Sequence, residues 1–131
     1  MVLEKPDAIE LASARFQIAV AEEALRNHPS DGEVLRYLAH AYTLVGRHDD
    51  GLRTDLRLVE LYPRDARARY NLACSYALLG RGDEAFQALR EACSLGFEDV
   101  DLLRQDEDLA ALRDDPRFEE IRKLAERRPN G

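Results

Sequence analysis

The chain has 131 residues, of which 34% are charged, and a formal net charge of −7. This acidic balance disfavours a duplex nucleic-acid partner, because phosphate backbones attract basic surfaces. Tryptophan is absent and glycine and proline are few, whereas Ala, Leu, Arg and Glu are abundant, so the composition predicts an all-α protein of one domain.

No segment has the character of a membrane span or a secretory signal. The longest uncharged apolar run near the start is residues 18–21, far short of the roughly 20 residues that a span requires. The two cysteines, Cys74 and Cys93, form no CxxC motif. We therefore expect reduced thiols in a cytoplasmic protein that does not contact membranes.

The first predicted helix covers about residues 8–27. Asp7 is a suitable N-cap, since its side chain can accept a hydrogen bond from a free backbone N–H. Apolar residues recur through the segment at helical spacing, and the region around Pro29 ends the helix. The predicted apolar face consists of Ala8, Ala12, Phe16, Val20 and Ala24.

Four further helices are predicted as two hairpins. Each hairpin begins after an aspartate that can cap a helix and turns at a glycine. These helices cover about residues 32–45, 49–61, 66–79 and 83–95. The remaining chain predicts short helical turns at residues 99–104 and 108–113, and a last helix from Asp115-Pro116 to about residue 127.

The two hairpins repeat each other at an interval of 34 residues. Residues 38–52, LAHAYTLVGRHDDGL, align without a gap with residues 72–86, LACSYALLGRGDEAF. A single helix pair cannot bury both of its apolar faces alone. The recurrence of small and large residues at a fixed interval therefore predicts helix pairs that stack on one another.

This period and these residues resemble the tetratricopeptide repeat (TPR) family. In residues 32–65 its pattern is matched by Leu38, Ala39, Tyr42, Gly46, Leu52 and Pro63. In residues 66–99 it is matched by Leu72, Ala73, Tyr76, Gly80, Ala85, Leu89 and Ala92. The chain departs from the pattern at Leu35, Gly51, Asp55, Arg69 and Phe97.

The resemblance implies a right-handed superhelical stack of antiparallel helix hairpins, an α-solenoid with capping helices at both ends. It implies one domain over residues 1–131, divided into four parts. These are a degenerate half repeat (8–29), two repeats (32–65 and 66–99) and a degenerate C-terminal capping segment (99–128).

In this family the first helix of each pair lines a concave groove that binds a peptide or helix of another protein. The resemblance therefore implies a non-catalytic adaptor or scaffold. By position in the repeat, its groove is floored by Arg36, His40, Thr43, Arg67, Tyr70, Asn71, Cys74 and Ala77. Guanidinium groups suit carboxylates, so the expected partner has an acidic or C-terminal carboxylate end; the alternative is that Arg36 and Arg67 lie on merely solvated helix faces.

No motif predicts catalysis, and we expect neither an enzyme nor a cofactor. The histidines and cysteines lack the spacing of a metal site, and no cysteine has neighbours that would activate a nucleophile. The alternative function is self-association, as a homodimer or within a larger complex, through the end helices. Phe16 in the first helix and Phe118 in the last are the residues expected to carry it.

Overall fold

The computed structural model describes residues 6–127; residues 1–5 and 128–131 of the predicted domain lie outside this range. Within it the chain is helical, without a strand, as the composition predicted. The elements are α1 (Ala8–Asn27), α2 (Gly32–Leu44), α3 (His48–Leu61), α4 (Ala66–Leu78), α5 (Gly82–Ser94), α6 (Val100–Gln105), the 3₁₀-helix η1 (Glu107–Leu112) and α7 (Pro116–Glu126). In this part of the chain no helix has the length and apolar character needed to cross a membrane.

Three aspartates spaced 34 residues apart cap successive helices. Asp31 begins α2, Asp65 begins α4 and Asp99 begins α6, and each side chain accepts one or two backbone N–H groups at 3.0–3.2 Å. These donors have no partner within the helix, so the carboxylate satisfies them. The interval seen in the sequence is thus repeated in the hydrogen bonds that start the helices.

Two glycines end α2 and α4 in the same way. Gly46 and Gly80 have φ angles of 80° and 74°, a left-handed conformation that side chains disfavour. The residue after each glycine donates its backbone N–H to the carbonyl of Tyr42 or Tyr76, at 2.8 and 2.9 Å. This pattern satisfies otherwise free carbonyls at the end of a helix and turns the chain into the next helix.

Neighbouring helices pack against one another along the chain. From α1 to α5 each helix contacts the next, η1 packs on α4, and α7 packs on α5 and α6. The main core contains side chains from every element between α3 and α7. Its largest fully buried side chains are Tyr70, Phe86, Leu89, Leu103, Leu109 and Ile121. A smaller cluster joins α1 to α2 through Ile18, Leu38, Ala41 and Tyr42.

The predicted apolar face of α1 is not the face that packs on α2. Phe16 is 71% exposed and Val20 is 55% exposed, whereas Ala14 and Ile18 are buried. The sequence has apolar residues on two nearly opposite sides of this helix, because two residues along a helix correspond to about 200° of rotation. Contact with α2 selects the side of Ile18, so the predicted face, Ala8, Ala12, Phe16, Val20 and Ala24, does not form the contact with α2.

The last helix is packed within the main core. Phe118, Ile121 and Ala125 of α7 are all buried. The structure therefore favours packing of the last helix on its own chain over the alternative of self-association through Phe118, because the ring of Phe118 is already covered by the chain itself.

Candidate functional site

A groove of about 200 Å³ lies between α2, α3, α4 and the beginning of η1. Six of the eight predicted site residues line it, which we call the groove residues from here on: Arg36, His40, Thr43, Arg67, Asn71 and Cys74. They come from α2 and α4, the first helices of the two hairpins. The two helices are brought side by side by α3, which packs on both.

Tyr70 and Ala77 do not line the groove. Tyr70 is 1% exposed, and its ring stacks on Phe97 with 4.6 Å between the ring centroids. Its hydroxyl donates a hydrogen bond to Oδ2 of Asp106 at 2.6 Å. Ala77 is buried in the main core. Both residues therefore belong to the main core and not to the groove lining.

Four of the groove residues form its exposed rim: Arg36, His40, Arg67 and Asn71. The guanidinium group of Arg36 lies 3.3 Å from Asp65 and over the ring of Tyr62. Arg67 lies 3.9 Å from Asp99. The arginine side chains are still 49% and 57% exposed. Because exposed ion pairs contribute little to stability, these side chains remain free to turn toward a partner.

Asp55 is a buried carboxyl in the groove wall. It projects from α3 and is 3% exposed. Its Oδ2 accepts a hydrogen bond from the hydroxyl of Ser75, but among residues 6–127 no donor reaches its Oδ1. Burial raises the pKa of Asp55 to about 6, opposed by the hydrogen bond from Ser75. Near neutral pH the groove wall therefore holds a largely ionised, half-satisfied carboxylate.

The floor of the groove brings together Cys74, Asp106 and Asp108. Their sulfur and carboxylate oxygen atoms all lie within 4.8 Å of one another. The thiol of Cys74 points at Oδ2 of Asp106 at 3.8 Å. Burial and then the charges of Asp106 and Asp108 raise the pKa of Cys74, so the thiol stays protonated. We call these three residues the floor cluster.

The histidines near the floor act in the opposite direction. Burial, followed by the charge of Asp106, raises the pKa of Asp108, whereas His48 and His40 lower it. His40 also lines the groove, and Nδ1 of His48 is buried with no hydrogen-bond partner in the described part of the chain. Two imidazoles therefore lie close enough to Asp108 to influence its charge.

Sequence reasoning missed the three carboxylates of the groove interior. Asp55 carried a signal, since it stands where the TPR pattern has an apolar residue. Asp106 and Asp108 carried none beyond helix capping, and Asp106 does cap η1 through the N–H of Asp108 at 3.0 Å. Asp106 is 32 residues from Cys74 along the chain, so no local spacing marks the pair.

A second surface lies on α1. Ile9, Phe16 and Val20 are exposed large apolar side chains, with Ile9 81% exposed. Their spacing places them along one side of the helix, away from Ile18. We call this row the α1 stripe. It is an unpaired apolar face of the kind that contacts other proteins.

No protein-family model matches the chain, and no curated protein matches it at a significant level. The resemblance to TPR proteins therefore depends on the repeated residues themselves.

Proposed function

We propose that the chain is a TPR-like protein-interaction module that binds a segment of another protein along the groove. The observation that carries this proposal is the meeting of Arg36 and His40 of α2 with Arg67 and Asn71 of α4 on one exposed rim. In a stack of helix pairs, the first helices share one face, and a ligand that lies across them contacts several pairs together.

A stacked, right-handed superhelical arrangement is also part of the proposal. Its support is the recurrence of equivalent caps at 34-residue intervals, with Asp31, Asp65 and Asp99 starting helices and Gly46 and Gly80 ending them. In this arrangement α1 covers one end, and α6, η1 and α7 cover the other. The polar outer face that such an end needs is supplied at one end by α7, whose exposed side is charged, whereas α1 presents the α1 stripe.

The rim chemistry suits a peptide segment. The amide of Asn71 can pair with a peptide backbone, and the half-exposed guanidinium groups of Arg36 and Arg67 can bind carboxylates in a forked geometry. A partner with an acidic or free C-terminal end stays our prediction. The acidic floor opposes a carboxylate that goes deeper, so we place any partner carboxylate at the rim.

We propose an adaptor without catalysis of its own. The one thiol in the groove, that of Cys74, is buried and its pKa is raised, which leaves it a poor nucleophile because thiolates, not thiols, attack. Binding thus accounts for the groove better than reaction chemistry does.

The test is selection of peptides from a random library on the wild-type chain, followed by affinity measurements on variants. We expect Arg36→Ala with Asn71→Ala to weaken selected peptides at least about tenfold, since a lost charged hydrogen bond costs about 1.5–3 kcal/mol. Arg53→Ala is the matched control, because Arg53 is an exposed arginine of α3 outside the groove lining. Circular dichroism checks that every variant folds.

Two results would reject the groove as the binding site. In one, selected peptides bind the double variant as well as they bind the wild type. In the other, Arg53→Ala weakens binding as much as the rim variant does, which would show a diffuse charge effect in place of a site.

A second candidate function is self-association through the α1 stripe. The exposed row of Ile9, Phe16 and Val20 favours a second copy of this chain as its occupant, because isologous contacts pair an apolar patch with itself. Light scattering should then show a mass that rises with concentration. Phe16→Ser should abolish that rise, whereas Leu56→Ser, at an exposed leucine of α3, should not. A constant monomer mass would exclude this function.

A further inference from the structure

We propose that the floor cluster is a binding site for one Zn²⁺ ion, with Cys74, Asp106 and Asp108 as its protein ligands. This site is distinct from the peptide contacts that Arg36, Arg67 and Asn71 make at the rim, and ion binding does not depend on those three residues. Sulfur and carboxylate oxygen are both zinc ligands in proteins, and a thiolate favours zinc over magnesium or calcium. Binding would release the thiol proton of Cys74 to water.

The distances are close to those of a zinc site. Tetrahedral bonds of about 2.3 Å to sulfur and about 2.0 Å to oxygen place the two ligand atoms about 3.5 Å apart. Sγ of Cys74 and Oδ2 of Asp106 are 3.8 Å apart, and all three ligand atoms of the cluster lie within 4.8 Å of one another. Small side-chain shifts would therefore bring them around an ion.

A second observation points to a cation in the same groove. Asp55 is 97% buried by area, since 3% of it is exposed, and its Oδ1 has no donor among residues 6–127. It lines the groove together with the floor cluster. A buried carboxylate with one oxygen left without a donor is costly, and a cation in the groove would offset that cost.

The charges of the residues that line the groove also favour a cation. Four aspartates and two arginines line the groove. Both arginines lie at the rim, where they pair with Asp65 and Asp99. In the described part of the chain no other lysine or arginine lines the groove, so the negative charge of the floor has no lysine or arginine side chain to offset it.

The surroundings hold one ligand in place. Tyr70 is fixed by its stacking on Phe97 and donates its hydroxyl to Oδ2 of Asp106 at 2.6 Å. Hydrogen bonds of this kind orient metal-binding carboxylates and raise metal affinity. Three protein ligands leave a fourth position for water or for His40, which lines the groove.

The test is titration of the metal-free full chain with Co²⁺, used as a spectroscopic substitute for Zn²⁺, and then displacement by Zn²⁺. We expect one equivalent to bind with a thiolate-to-cobalt absorption band. Cys74→Ser should remove this band, and Asp108→Asn should weaken binding at least about tenfold. Tyr70→Phe, a change at a positioning residue, should weaken it about 10-fold to 100-fold.

Cys93→Ser is the matched control. Cys93 is a free cysteine whose thiol lies against the backbone carbonyl of Ile121, 4.0 Å away and outside the floor cluster. This variant should keep both the band and the affinity. Circular dichroism of each variant ensures that a lost band reports a lost ligand and not an unfolded chain.

Three outcomes would overturn the assignment. They are the absence of a cobalt–thiolate band in the wild type, an unchanged band in folded Cys74→Ser, and an equal loss in Cys93→Ser. The peptide measurements proposed above are made both with and without a chelator. A wild-type chain that binds peptides but no metal would reject the zinc site alone. A wild-type chain that binds the metal but no peptide would reject the proposed function of the rim and leave the zinc site standing.

Discussion

The α2–α3 hairpin and the α4–α5 hairpin have the same framework. Tyr42 and Tyr76 hold equivalent positions, and the arginine five residues later lies over each ring, at 4.7 Å for Arg47 and 5.0 Å for Arg81. The turns between the helices share their glycine conformation and hydrogen bonds. These shared turns and contacts lie where the chain passes from the first helix of each hairpin into the second.

The two hairpins differ in what fills the space between their helices. Asp55 of α3 stands where α5 has Leu89, and Gly51 stands where α5 has Ala85. Both residues of α5 are 0% exposed and belong to the main core. The second hairpin is thus an apolar core unit, whereas the first gives up apolar packing for a polar groove wall. Function is expected where the repeat departs from its own packing rule.

The largest predicted effect tests the core role of the second hairpin. Leu89→Ala should lower the free energy of unfolding by about 2–5 kcal/mol, because it removes a fully buried side chain and leaves a cavity. Urea unfolding measures this change. Leu56→Ala, at a leucine that is 41% exposed, is the control and should cost far less. Equal losses would show that the α4–α5 hairpin is not the better packed one.

The next prediction concerns Asp55, the carboxyl that stands in α3 at the position equivalent to Leu89 of α5. The folded-state pKa of Asp55 is raised from 3.8 to about 6, so its stabilising contribution is complete below pH 3.8 and is lost as the pH rises through about 6. Asp55→Asn, which keeps an acceptor for Ser75, should therefore gain up to about 3 kcal/mol at pH 7 over the wild type.

The difference in unfolding free energy between wild type and Asp55→Asn, measured from pH 3 to 8, isolates this group from other titrations. It should grow through the interval between pH 3.8 and about 6 and then level off. Asp49→Asn, at an exposed acid of the same helix, should change stability by less than about 1 kcal/mol. A pH-independent difference would contradict the burial of an ionisable Asp55.

A smaller effect tests the shared framework. Gly46→Ala and Gly80→Ala should each cost about 1–2 kcal/mol, because an L side chain disfavours the left-handed conformation at both turns. Thermal unfolding of the two variants should give matching losses, since a Cβ at either glycine meets nothing within 4 Å. Unequal losses would break the equivalence of the two turns.

The smallest predicted effect comes from a substitution that makes the first hairpin resemble the second. Gly51→Ala should stabilise the chain by about 0.5–1 kcal/mol, because alanine restricts the unfolded chain and suits a helix interior. The added Cβ would meet its nearest neighbours at 3.8 Å, an ordinary contact. Gly32→Ala is the control, since its Cβ would collide with the hydroxyl of Tyr62 and should give no gain. A loss in Gly51→Ala would show that the groove side of α3 tolerates no added atom.

Local chemistry explains why the sequence predicted the helices and their turns. Capping aspartates such as Asp31 and Asp65 act on N–H groups two or three residues away, and Gly46 and Gly80 turn the chain by their own backbone angles. The 34-residue echo repeats these short-range signals. Predicted helix limits therefore agree with the structure within one or two residues, as for α1 and α4.

What the tertiary structure alone decided is which side of an element is covered and which distant residues meet. α1 has two apolar sides, and only its contact with α2 chose Ile18 over Phe16. Tyr70 was predicted on the groove floor by its place in the repeat, but stacking on Phe97 buries it.

The floor cluster joins Cys74 to carboxylates more than 30 residues further on, at a spacing that no helix or turn defines. Packing of η1 on α4 brings them together. The sequence by itself determined the helices, because their signals are local, whereas the interior of the groove was decided by packing between elements that are distant along the chain.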